Sequence, residues 1–248
     1  MADSENPAEV KKLREDTHRG FYPPLFHERC AGHYDGNILN ISSLNYIEME
    51  TLKKLENIHE PDVRTHAFVK LDFKTGSFSQ FTIEDYLRRA ESISLHSGVP
   101  EDIRSHFETA RNLIIYSWFF YPFNMSAQLA AFTTVEFALR IRFNDRETPF
   151  KFLLKKAVKD GLIKDEGFTL PVKRAQAIRE NNRALPEMLR VPEPTLTSNY
   201  SEILSENIPF LRNQLAHGTT ELHENGAKHV RISAELINQL FPAPPKKN

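Results

Sequence analysis

Arg212 and His217 lie five positions apart near the end of the chain, in the run Phe210-Leu-Arg-Asn-Gln-Leu-Ala-His-Gly218. A cation beside a titratable imidazole suits a phosphodiester, because the first can hold charged oxygens while the second moves a proton. Spacing alone carries little weight, since seventeen Arg and ten His give such a pair about 0.7 times by chance. Context discriminates: the pair ends an amphipathic pattern, has Asn213 directly after the arginine, and is followed by Gly218. At about 100° per residue the two side chains stand roughly 140° apart around a helix, so they flank the Leu211 and Leu215 stripe and do not stack on one face. Arg89 and His96 meet a looser spacing but lack both the Asn and the Ala-His-Gly ending; they are expected as exposed groups on one helix face.

Three other groups of residues could do chemistry. Glu136 falls where the stripe Met125, Leu129, Phe132, Leu139, Phe143 asks for an apolar residue, and a desolvated carboxylate needs a partner. Arg212 is one candidate, which would make Glu136 an orienting residue; Arg140, one turn later on the same helix, is the other. His27, Cys30 and His33 have ligand-type side chains at suggestive spacing but no fourth ligand nearby, so loop residues are the favoured reading and no metal is assigned. The aromatic run from Tyr116 to Phe123 can stack on bases, but it continues a buried stripe and is expected in the core.

The motif from residue 210 to 218 resembles that of the HEPN family, the bacterial HEPN-like proteins of ribonuclease and toxin type. Ile115-Tyr-Ser-Trp-Phe-Phe-Tyr-Pro-Phe123, with Val135-Glu-Phe-Ala-Leu-Arg140 behind it, is similar to the earlier core helices of that family. The likeness covers roughly residues 100 to 220. It implies RNA cleavage without metal or other cofactor: the 2′-hydroxyl attacks the adjacent phosphorus and leaves a cyclic phosphate and a free 5′-hydroxyl. His217 would then move the proton, Arg212 would hold the phosphate, and Asn213 would orient the histidine, the phosphate or a partner helix. In-line transfer is best served by an acid and a base on opposite sides, so the family's two-fold dimer is implied as well. RNA is the implied substrate, and a toxin–antitoxin or phage-defence setting, with an antitoxin or regulatory protein as partner, follows from the same analogy. The alternatives are a non-catalytic HEPN-type module binding RNA or protein, and a structural element in which Arg212 closes a bundle groove while His217 ends a helix.

These side chains need helices to hold them. Residues 1–80 read as an irregular N-terminal extension punctuated by Pro23, Pro24, Gly32, Gly36, Pro61 and Gly76. Within it, alternation over residues 67–73 and 77–81 around Lys74-Thr-Gly predicts a short β-hairpin. From Thr82 the signals turn helical, with a cap-like Thr82-x-x-Asp85 start and a stop at Gly98-Val-Pro100. Ile103, Phe107, Ala110, Ile114 and Trp118 mark a second helix, and residues from Asn124 to Phe143 a central third. Thr148-Pro149 opens a shorter one through Phe152, Leu153 and Ala157 to Gly161, and another follows over about 171–189. Asn199-x-x-Glu202 resembles a capping box for the helix bearing the motif, with Tyr200, Leu204, Leu211 and Leu215 as its stripe; Pro209 kinks or restarts it and Gly218 ends it. A last short helix is expected over 234–240. The reading is all-α: an antiparallel, HEPN-like bundle over residues 81–241 and a disordered tail over 242–248.

Composition sets outer limits. With 248 residues and 40% hydrophobic content the chain can bury a proper core. A single cysteine excludes an internal disulfide framework, the polar start lacks a secretory apolar segment, and cytoplasmic placement is the expectation. The net charge of −1 argues against a surface that coats nucleic acid. Charge is uneven, however: residues 140–190 hold thirteen Lys/Arg against seven Asp/Glu, so a basic face including Arg174 and Arg179 is a candidate for RNA contact.

Overall fold

The computed structural model describes residues 50–72, 75–190, 199–219 and 221–243; most of the expected N-terminal extension and of the expected tail lies outside these residues. The elements named below all belong to one compact unit, which begins at Lys53. The predicted hairpin forms from β1 (Val69–Leu71) and β2 (Phe78–Gln80), antiparallel, with Val69 opposite Gln80 and Leu71 opposite Phe78. Gly76, at φ 70°, takes the left-handed conformation that closes it. Helix α1 (Ile83–Glu91) opens on a capping box in which Asp85 Oδ2 accepts from the Thr82 backbone N–H at 2.8 Å. Lys70 of the hairpin reaches the same carboxylate at 2.5 Å, which ties sheet to helix.

Helix α1 stops at Glu91, well before the expected Gly98, because the chain turns inward to bury Ile93 and Val99. His96 therefore lies in a loop and not on a helix face with Arg89. Nor is it an exposed surface group: its backbone N–H donates to Asn238 Oδ1 at 3.0 Å, and its Nδ1 accepts from Gly98 N–H at 3.1 Å. A loop that enters the core must find partners for its backbone, and Asn238 supplies them. Arg89 is likewise half-buried, its guanidinium carbon 5.0 Å from the Phe81 ring centre and 5.4 Å from that of Tyr86.

Helix α2 (Glu101–Tyr116) buries Ile103, Phe107, Ala110 and Ile114, the stripe its periodicity predicts. Trp118 lies past its end, edge-on to Tyr86 at 5.4 Å. Asp62 fixes this turn from outside: its N–H donates to Trp118 O at 2.8 Å, and its carboxylate accepts from Tyr121 N–H at 2.8 Å. Helix α3 (Phe123–Phe143) follows, then α4 (Phe150–Lys159), α5 (Thr169–Ala184), α6 (Tyr200–His217) and α7 (Gly226–Leu240).

The helices α2, α4, α6 and α7 all pack on α3. Almost every side of it is covered, so Ala127, Ala131, Phe132, Val135, Ala138 and Leu139 are buried, while Leu129 and Phe143 are only partly so. In α4 the core residues are Phe150, Leu153, Leu154 and Ala157; Phe152 points outward, at 60% exposure. Thr148 does not cap that helix, because Asp145 captures its N–H at 2.9 Å and its hydroxyl at 2.7 Å.

The start of α6 corrects a second expectation. Asn199 makes no side-chain cap bond; the Asp165 carboxylate caps instead, accepting from the N–H groups of Tyr200 at 3.1 Å and Ser201 at 2.8 Å. Pro209 sits inside the continuous helix, buried with Leu204 and Ile208, and Gly218 ends it at φ 92°. Helix α7 is longer than the expected segment, spanning 15 residues. Its Gly226 lies so close to α3 that a Cβ there would stand 2.7 Å from Asn124 O. Among the described residues, no helix is long and apolar enough to cross a membrane.

Candidate functional site

Glu136 is 13% exposed on α3, and it reaches both of the arginines proposed for it. Its Oε1 accepts from Arg140 Nη2 and its Oε2 from Arg212 Nη2, each at 2.7 Å. A carboxylate has two oxygens, and two cations offset its desolvation better than one. Arg140 also donates through Nη1 to Arg146 O at 2.5 Å, so its fork is anchored at both ends.

Arg212 is held but not exhausted. Its Nη1 donates to Asn213 Oδ1 at 3.1 Å, and its buried Nε–H meets no acceptor among the described residues. A guanidinium carries five donors. With one given to Glu136 and one to Asn213, three remain unpaired among the described residues.

On the outward side of the same helix end lies a shallow groove of about 360 Å³, lined by Phe210, Asn213, Gln214, His217, Gly218 and Thr219. Positions 210, 213, 214 and 217 form one helix face at i, i+3, i+4 and i+7. His217 is exposed there, and Phe210 presents an unburied ring at 60% exposure. Arg212 does not line this groove. It lies toward α3, and the Leu211 and Leu215 side chains packed on the core run between the two, as the angular spacing predicts. Asn213 joins the halves, since it accepts from Arg212 and also lines the groove with His217.

Arg174 and Arg179 lie on α5 and neither lines the groove. His27, Cys30 and His33 lie outside the described residues. Among the described residues, no group of three His, Cys, Asp or Glu stands ready for a metal ion. Of the aromatic run, Tyr121 is buried, whereas Tyr116 is 53% exposed. The groove residues Phe210, Gln214 and Thr219 were not singled out by the motif, although the first two follow from projecting the last two turns of α6 onto a helical wheel.

A second histidine environment has no signal in the sequence. His229 stands edge-on between Phe132 and His223, with ring centres 5.7 and 5.8 Å away. Burial pushes its imidazole down to about 3, and the nearby His223 and Lys228 charges act in the same direction. It is a half-buried histidine packed on the core ring of Phe132 that does not line the groove, and its Nδ1 meets no partner among the described residues.

No family model matches the chain, no curated protein matches it, and no solved structure matches it.

Proposed function

We propose that this chain is a metal-independent endoribonuclease of HEPN type that works as a homodimer, with Arg212 and His217 as its catalytic residues. One observation carries the reading. Asn213 links a guanidinium with two spare Nη donors to a groove in which an exposed imidazole stands. Glu136 and Arg140 are the positioning residues, fixing the Arg212 fork so that its remaining Nη–H groups are held without further ordering.

In the reaction, the 2′-oxygen forms a bond to phosphorus as its proton leaves for one imidazole. The bond from phosphorus to the 5′-oxygen breaks, and that oxygen takes a proton from a second imidazole. The products are a cyclic phosphate and a 5′-hydroxyl, and the proton count balances. One groove supplies one histidine, so the second must come from another copy. The exposed face of Phe210, Gln214 and His217 is the surface on which two copies would meet about a two-fold axis.

Purified protein is expected to cut RNA in EDTA and to leave cyclic phosphate ends. His217→Ala is expected to abolish cutting while the fold survives. The ion pair between Arg212 and Glu136 favours a second reading, in which the groove binds RNA or protein without chemistry. That reading predicts salt-sensitive RNA retention without cleavage, weakened by Arg174→Gln and Arg179→Gln.

A further inference from the structure

A larger cavity lies elsewhere, where the hairpin, α1, the turn before α3 and the start of α7 converge. It measures about 550 Å³, within the range of pockets that take one small molecule. Its walls are of two kinds. Phe68 and Phe81 offer apolar ring surface, and Phe68 stacks on Tyr121 with centres 6.0 Å apart and planes 7° from parallel. Facing this surface stand the cations Arg89, Lys228 and Arg231, against a single carboxylate, Glu224.

Two of these cations are set rather than neutralised. Arg89 has no carboxylate partner among the described residues and is held by the faces of Phe81 and Tyr86. Arg231 is steered by Ser92, whose hydroxyl accepts from its Nη2 at 2.7 Å, and it likewise meets no carboxylate among those residues. Helix α7 begins at the cavity, where Asn225 and Ala227 line the wall, and the Asn225 side chain does not cap it. The positive end of a 15-residue helix therefore points its first turn toward the same space.

Two buried side chains mark the place as a site and not merely a helix end. Tyr86 and Tyr121 are only 5% and 7% exposed, both line the cavity, and neither hydroxyl has a hydrogen-bond partner among the described residues. Neither hydroxyl is among the fully enclosed unpartnered atoms, and both side chains line the cavity. Burial pushes both phenols upward, Tyr121 to about 12, and so both remain O–H donors near neutral pH. An anionic oxygen in the cavity would match these two donors, which an apolar ligand would not.

We propose that this cavity binds a nucleoside phosphate, its phosphate held by Arg89, Arg231 and the first turn of α7 and its base against the rings of Phe68 and Phe81. A bare inorganic anion would leave the aromatic wall unused, and an apolar ligand would strand both arginines and two hydroxyls. Glu224 then stands as the acceptor for a sugar hydroxyl or a base N–H. None of these residues belongs to the groove of His217, so the site is independent of the nuclease reading.

The test is isothermal titration calorimetry of the full chain with AMP, GMP, CMP and UMP, and with adenosine and inorganic phosphate as separate probes. At least one monophosphate is expected to bind one to one, about tenfold or more tighter than adenosine or phosphate alone. Arg89→Gln and Arg231→Gln should each weaken it about tenfold while urea unfolding shows both variants folded under the titration conditions, and Tyr86→Phe by a smaller factor. His217→Ala should bind as wild type does. Absence of binding by all four monophosphates at millimolar concentration overturns the proposal. So does equal affinity in both arginine variants, or an effect of those variants on RNA affinity with no mononucleotide bound.

Discussion

Replacing Glu136 with Gln removes one negative charge shared by two guanidinium groups while keeping nearly the same shape. Each bond it makes to arginine is charge-assisted, worth about 1.5 to 3 kcal/mol; the Gln amide keeps one acceptor oxygen for one arginine, in a neutral bond worth roughly half, and turns an NH2 donor toward the other. The carboxylate is 13% exposed and the two arginines 27% and 30% exposed, so solvent screens the pairs only in part. The expected loss is roughly 2 to 3 kcal/mol, between the ~0–1 of surface pairs and the ~3–5 of fully buried ones. Urea unfolding at neutral pH reads this directly from the midpoint at unchanged slope. Glu206 supplies the control, since it also meets two cations, Lys151 and Lys155, but is 49% exposed. Glu206→Gln should leave the midpoint where it was. A loss below about 1 kcal/mol in Glu136→Gln would refute the claim that burial makes this carboxylate an organiser of Arg212.

Three further outcomes are expected from the packing. Asp165→Ala should cost about 1 to 2 kcal/mol in urea unfolding, because two N–H groups at the start of α6 lose their cap. Gly226→Ala should lower stability by about 1 to 3 kcal/mol, since its Cβ would press on the backbone oxygen of Asn124, which cannot rotate away. His229 should make folding acid-sensitive: burial holds its folded value near 3 against an ordinary 6.5, so below about pH 6.5 the unfolded chain binds a proton that the folded chain refuses. Its contribution is fully present above pH 6.5 and is lost as pH falls toward 3. Compared with His229→Leu, wild type should show an extra slope approaching about 1.4 kcal/mol per pH unit between about pH 6 and 4; parallel profiles would count against a buried neutral imidazole.

Features that depend on local period could be read from the chain alone. The stripe of Ile103, Phe107, Ala110 and Ile114 gave α2 its buried face, and Lys74-Thr-Gly between alternating segments pointed to the hairpin. Glu136 stood out because a charge interrupted an apolar stripe, and the anomaly led to Arg212, 76 residues away. Features set by distant chain segments were hidden. Asn199 has the right type for a cap, but Asp165, 36 residues earlier than Ser201, takes the bonds. The first half of α7 carries His, Lys and Arg at positions that look solvated, yet Val230 and Ile232 are buried against the core. The tyrosine-lined cavity draws on four separate segments, so no spacing in the sequence announces it.

The role proposed for the groove turns on whether His217 does chemistry on RNA. The direct measurement is cleavage of a short RNA in EDTA by the purified chain, with its oligomeric state measured alongside and the ends identified by mass. A nuclease of this kind leaves 2′,3′-cyclic phosphate and 5′-hydroxyl ends, and a folded His217→Ala variant should make no cuts. Cleavage that persists in that variant, or a verified dimer that binds RNA and leaves it whole, would contradict that role.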